Sequence, residues 1–194
     1  MKKTIVILLI IIGLGSLSGC SYNTLVDLDE NVNQSWANVE TAYQRRADLI
    51  PNLVETVKGA ADFERSTLEA VINARAKATS IEIDPSNITP EQFAQFQEAQ
   101  NEVSSALSRL LVTVERYPEL KTNQNFLKLQ DDLVSTENQI LTARTRFNEA
   151  VQGYNGKVRR FPSNITASLF GFDQKPYFEA QEGAENAPDV EFDF

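Results

Sequence analysis

Between Tyr22 and Arg160 apolar side chains return every three or four positions, separated by charged and amide residues, and glycine and proline are scarce. This is the period of an amphipathic helix, in which such positions fall on one stripe. The longest run is Phe126, Leu129, Leu133, Thr136, Ile140, Ala143, Phe147, Ala150 and Tyr154, a heptad seam that faces other helices. Thr122 is placed to cap its start, and Phe161-Pro162 to end it, because proline has no N–H to continue the ladder. A second run is Phe93, Phe96, Gln100, Val103, Leu107, Leu110 and Val114. It opens on Thr89 with Pro90 in the first turn, and Pro118 separates it from the next helix. Gln100, polar on a seam, reads as a device that fixes helix register.

Upstream, Leu25, Leu28, Val32, Ser35, Val39 and Ala42 form another seam, with Trp36 and Tyr43 beside it as core residues. Leu53, Val57, Ala60, Ala61, Leu68 and Val71 continue in helical register to about Thr79, and Ile83–Ile88, with Pro85, reads as a loop. Pro51 allows two readings. With Asp48 as N-cap it sits in the first turn of a new helix, or else it kinks one helix of more than fifty residues. Such a helix would run roughly 80 Å at 1.5 Å per residue and leave apolar residues bare, so the break is preferred. The pattern predicts an all-α, up-and-down four-helix bundle with long helices and crossings near +20°. Beyond it Ile165, Leu169, Phe170, Phe172, Tyr177 and Phe178 are expected to pack over the bundle as a C-terminal segment. From Ala180 the chain becomes a flexible acidic tail.

The N-terminus carries a different pattern. Lys2 and Lys3 precede an apolar run from Ile5 to Leu14, and Gly15, Ser16, Ser18 and Gly19 follow. That is the layout of an export signal, short for a span that needs about 20 apolar residues. Leu17-Ser18-Gly19-Cys20 resembles the bacterial lipobox, in which the cysteine thiol is lipidated and cleavage falls just before it. Cys20 is the only cysteine, so no intramolecular disulfide can form, and lipidation gives the odd thiol a purpose. Two or more acyl chains, palmitate among them, hold a protein stably on a membrane where one does not. The expected organisation is therefore residues 1–19 as signal peptide, 20–179 as bundle and 180–194 as tail. Ser21, where an inner-membrane retention signal would carry Asp, favours an outer-membrane lipoprotein facing the periplasm in a Gram-negative host.

Charge and residue types narrow the chemistry. The 194 residues hold 18 basic and 27 acidic side chains. Loss of residues 1–19 removes two lysines and no acid, leaving 16 basic against 27 acidic, a charge of −11. Such a surface opposes nucleic acid and disfavours anionic lipid as a partner of the body. With no histidine and no second cysteine, Ser-His and Cys-His catalysis, zinc sites and Glu-x-x-His di-iron sites are excluded. No phosphate-binding glycine loop follows Cys20. No cofactor and no metal are expected.

Two longer stretches resemble a known family. Gln44-Arg45-Arg46-Ala47-Asp48-Leu49-Ile50-Pro51-Asn52-Leu53-Val54 with Val57-Lys58-Gly59 is similar to the signature of LemA proteins. So is Glu115-Arg116-Tyr117-Pro118-Glu119-Leu120-Lys121 with Asn125-Phe126, Leu129-Gln130 and Thr136-Glu137-Asn138. Tyr22–Val26, Trp36, Ala143-Arg144, Tyr154-Asn155, Phe161-Pro162 and Tyr177-Phe178 extend the resemblance over essentially Tyr22 to Phe192. Phe63 departs from it, standing where many members have histidine, as do Ala60 and Phe147 where tyrosine is common. The resemblance implies a bacterial envelope protein with an N-terminal membrane segment or lipid anchor, a helical bundle, no established enzymatic activity and, in some relatives, a link to specialised membrane organisation.

The candidate partner-binding residues are Arg45, Arg46, Asp48 and Asn52, the most polar cluster beside the proline. The same cluster also reads as a helix junction in which Asp48 caps and an arginine pairs with a carboxylate such as Glu137. Glu137 and Arg144, seven apart, read as charges flanking one seam. The expectation is a non-enzymatic, lipid-tethered envelope scaffold or adaptor, with the membrane, other envelope proteins and a second copy of itself as partners. A carboxylate-based envelope hydrolase or transglycosylase and an apolar-ligand binder are the competing readings.

Overall fold

The computed structural model describes residues 2–60 and 63–179, with side chains from Ser21 onward. The tail from Ala180 and the Cys20 side chain, both assigned roles above, lie outside the described residues. The elements are α1 (Lys2–Lys58), α2 (Arg65–Thr79), a 3-10 turn (Pro85–Asn87), α3 (Pro90–Val114), α4 (Pro118–Lys121), α5 (Gln124–Arg159) and α6 (Ser163–Phe170), with no strand among the described residues. α1 lies chiefly against α5, and α2 against α3. Leu28 beside Gly153 and Arg46 on Glu137 show that α1 and α5 are antiparallel. Arg75 on Ala47 and Lys77 on Glu102 place α2 antiparallel to both α1 and α3. The result is the expected all-α, up-and-down bundle.

Pro51 does not break the first helix, nor does Asp48 cap a new one. Helix α1 runs through both, with Pro51 inside it, and ends instead at Lys58, before α2 begins at Arg65. The reason lies outside the local sequence. Proline at 51 cannot donate to the carbonyl four residues back, on Ala47, and an orphaned acceptor in a packed helix is costly. Arg75 Nε of α2 donates to Ala47 O at 2.7 Å and fills that place. The length objection applies only to the part of α1 before Ser21. From Ser21 to Lys58 α1 measures about 57 Å against about 54 Å for the 36-residue α5, so over this part the two helices match in length. Arg75→Leu should therefore cost about 1–2 kcal/mol in urea unfolding. The same change in a Pro51→Ala background should cost about 1 kcal/mol less, because the restored N–H reaches Ala47 O; strict additivity would contradict this account.

Other ends follow side-chain chemistry. Thr89 Oγ1 accepts from Gln92 N–H at 3.2 Å with Pro90 at the first helical position. At α5 the cap is Asn123 rather than Thr122. Asn123 Oδ1 accepts from the N–H groups of Asn125 and Phe126 at 2.9 and 3.2 Å, while the Thr122 hydroxyl turns back to the carbonyls of α4. The 83–88 loop contains the 3-10 turn, where the Asp84 carboxylate accepts from Ser86 N–H at 2.9 Å and from Asn87. These bonds, the Ser86 one foremost, hold the Asp84 carboxyl below the ordinary range. Phe63, in the first turn region, packs its ring against Tyr117 at 4.9 Å.

The core falls into two clusters. One, next to the α1–α2 turn, gathers Ile50–Val57, α2, Ala99–Val114, Leu120 and Phe126–Leu133. The other gathers Leu25–Tyr43, Phe93, Phe96 and Ile140–Val158. In the latter Trp36 is ringed by Phe96, Phe147, Phe93 and Phe178 with centroids 5.3–6.2 Å away. Helices α2 and α3 are too short to cover all of α1 and α5, so α6 and the segment 172–179 close this end. Gly171 ends α6 in the left-handed region, φ 75°, which glycine adopts without a side-chain clash.

Only part of the C-terminal segment packs as expected. Phe178 is buried and Phe172 half-buried, whereas Ile165, Leu169 and Phe170 are exposed, with Phe161 and Tyr177. What holds segment 172–179 is largely polar. Asn155 donates to Lys175 O at 2.8 Å and accepts from Lys175 N–H at 2.9 Å. Asn148 makes the same pair with Phe178, at 3.0 and 2.9 Å. Seven helical residues and three extended ones both span about 10 Å, so two amides on α5 match two backbone sites on the segment.

Candidate functional site

The Gln44–Val54 stretch is helical throughout, and helical geometry divides its polar residues. At about 100° per residue, Arg45, Asp48 and Asn52 share one side, and Arg46 is turned inward. Arg45, Asp48 and Asn52 are exposed, while Arg46 is only 2% exposed. Asp48 accepts from Gln44 Nε2 at 2.8 Å, and Asn52 O takes the Thr56 hydroxyl at 2.8 Å. The structure thus separates Arg46 from the other three sequence-derived candidates.

Arg46 forms a polar layer between the two core clusters. Its Nη1 donates to Ser104 Oγ at 2.9 Å and to Glu137 Oε1 at 3.0 Å, and its Nη2 to Gln100 O at 3.2 Å and to Gln100 Oε1. Three helices, α1, α3 and α5, meet at this one guanidinium. Arginine suits the task because its fork is always charged and carries five donors in fixed directions. The ring of Tyr43 lies 5.0 Å from the guanidinium. Burial pushes the Tyr43 hydroxyl pKa up, partly offset by Arg144 and Arg46. Gln100 is buried in the layer, and its carbonyl oxygens bind Arg46 instead of a partner outside.

Beside the layer an open cleft of about 1030 Å³ runs between α1 and α2. Arg45, Asp48 and Asn52 stand on it with Arg75 and Glu82, and Tyr43 and Ile81 give it an apolar floor. Among the described residues no group of three His, Cys, Asp or Glu is arranged to hold a metal ion. Glu137 and Arg144, seven apart on α5, have different partners. Glu137 serves Arg46, while Arg144 donates to Glu179 O at 2.9 Å and lies 4.7 Å over the Phe178 ring.

The sequence reading missed a second buried cation. Lys175 is buried, with Nζ 2.7 Å from Asp29, 2.9 Å from Pro85 O and 3.3 Å from Asn33 Oδ1. Tyr154 closes the site, its ring 5.4 Å from Nζ, and burial, with Asp29 and Asp173 nearby, raises the Tyr154 pKa. The available signal was a lone lysine inside an apolar stretch, since a buried lysine requires a paired acid.

The family model "LemA family" matches residues 35–192, which includes the arginine layer, the cleft and the C-terminal segment. The chain belongs to the LemA family. Curated relatives within reach include Magnetosome protein MamQ 2 of Paramagnetospirillum magneticum, 27% identical over 175 residues, covering 81% of this chain and 64% of that protein. Magnetosome protein MamQ of Magnetospirillum gryphiswaldense is 25% identical over 176 residues, with the same coverage. Protein LemA of Metamycoplasma hominis is 23% identical over 160 residues, covering 82% of this chain and 69% of that one. This LemA-family chain therefore spans somewhat under two thirds of the length of the magnetosome proteins it matches.

Proposed function

We propose that this LemA-family protein is a lipid-anchored envelope scaffold or adaptor that works through protein–protein contacts and performs no catalysis. The observation that carries the reading is where the packed body begins. Ser21 and Leu25 are already buried, so no linker separates Cys20 from the bundle, and a lipid on that cysteine would hold the body at the membrane surface. Among the described residues no helix is long and apolar enough to cross a membrane. The Arg46 layer supports the non-catalytic part, because its polar groups are spent on one another and stiffen the body. The exposed corner of Arg45, Asp48 and Asn52 on the cleft is the surface offered to an envelope partner, and relatives named as magnetosome proteins fit work at a specialised cell structure.

Cys20→Ala tests the anchor. The expected result is loss of the acyl mass from the mature N-terminus and a shift of most of the protein from the membrane pellet to the soluble fraction. An N-terminus of unchanged mass would refute lipidation. A photo-crosslinker at Asn52 in intact cells tests the adaptor role, with a discrete protein neighbour expected. Recovery of no reproducible neighbour, a second copy included, would overturn it.

A further inference from the structure

Helix α6 is built inside out. Its face on the bundle consists of Ser163, Thr166 and Ala167, all buried, while Ile165, Leu169 and Phe170 are each more than half exposed. Leu169 is 76% exposed and Phe161, just before the helix, is 81% exposed. The usual economy of a surface helix is the reverse, and clustered exposed apolar side chains of this kind mark a surface that is covered in use.

Position says what covers it. The Phe170 ring lies 4.8 Å from that of Tyr22, and the Phe172 ring 5.8 Å from it. Tyr22 is two residues from Cys20, a rise of about 3 Å along α1, and Val26, one turn further on, is also exposed. Tyr22, Val26, Phe161, Ile165, Leu169 and Phe170 thus lie at the end of the body where the chain leaves for the membrane. Arg159 and Arg160, both exposed, border them, as basic residues border the apolar face of an interfacial helix.

We infer that α6 and the Tyr22 end of α1 form a membrane seat: this face lies in the interfacial layer of the bilayer and fixes the orientation of the bundle on it. The inference rests on the anchorage proposed above and adds to it a defined tilt. A tether alone leaves the body free to turn, whereas a second contact, rigidly joined to the first, does not. The acidity of the body does not oppose the seat, because its contact is apolar and its nearest border charges include two arginines.

The test uses the full-length lipidated protein in phosphatidylcholine–phosphatidylglycerol vesicles, with and without brominated acyl chains. Trp36, the only tryptophan, is fully buried and serves as an internal reference that lipid bromine does not reach. Leu169→Trp should be quenched about twofold more than Val112→Trp, as for a side chain seated about 5–10 Å below the interface. Val112 is exposed and belongs to the helix that ends at the opposite end of the bundle. Both positions are solvent-facing, so neither change disturbs folding. Equal, weak quenching of the two in protein that co-sediments with vesicles would overturn the seat and leave the anchor standing. Protein that fails to co-sediment would overturn the anchor and the seat with it. Shielding of the Leu169→Trp indole in detergent that grows with protein concentration would assign the face to a second copy and also overturn the proposal.

Discussion

Arg46→Ala should destabilise the bundle by about 3–4 kcal/mol, measured as the change in urea midpoint at constant slope. The size comes from what is left behind. Gln100 Oε1 stays in a buried layer with its donor gone, while Gln100 O keeps the Ser104 hydroxyl, and an unsatisfied buried group costs about 1–3 kcal/mol. The emptied volume between α1, α3 and α5 adds a cavity term. Glu137 contributes less than its charge suggests, because its side chain is 46% exposed and water replaces the lost cation. Glu137→Gln should therefore cost less than about 1 kcal/mol. If Glu137→Gln proved as damaging as Arg46→Ala, the layer would be an ion pair first and a hydrogen-bond junction second, contrary to this account.

That layer was partly legible in the sequence. Gln100 stood out because it is polar at a seam position, and Glu137 because it flanks the heptad of α5. Which arginine they would meet was not readable, since Arg45 and Arg46 differ only by the 100° of rotation that the neighbouring helices select. The heptads of α3 and α5 and the Thr89 cap were readable because the signals are local and agree with one another. Pro51 misled for the opposite reason: the group that satisfies Ala47 O is Arg75, 28 residues away, and no local rule anticipates a donor from another helix. The same holds for Lys175, whose acid, Asp29, lies at the other end of the chain. The apolar residues of α6 were visible as such, but composition does not tell whether a short helix turns them toward the bundle or away from it.

Trp36→Ala should cost about 4–5 kcal/mol, the upper part of the range for a buried aromatic, as seen in thermal and urea unfolding. Trp36 is fully buried and touches rings contributed by α3, α5 and segment 172–179, so one deletion loosens three elements. For a protein whose whole stability is about 5–15 kcal/mol, that is a large fraction. Trp36→Phe separates volume from polarity. Among the described residues the indole Nε1 meets no hydrogen-bond partner, so phenylalanine removes an unsatisfied donor while giving up part of the ring volume. The two effects oppose each other, and the net change should stay within about 1 kcal/mol. A loss for Trp36→Phe close to that for alanine would show that the N–H is satisfied in solution.

The paired amides of Asn148 and Asn155 bear on the order in which the protein comes to exist. Phe178, which they help to seat, forms one wall of the Trp36 cavity, and it follows in the chain every helix that supplies the other walls. Until it arrives, the aromatic end of the bundle has a hole in it and Lys175 has not met Asp29. Closure of this end of the bundle therefore waits for a segment that follows all of its helices, so the helices meet first and the aromatic core is sealed last.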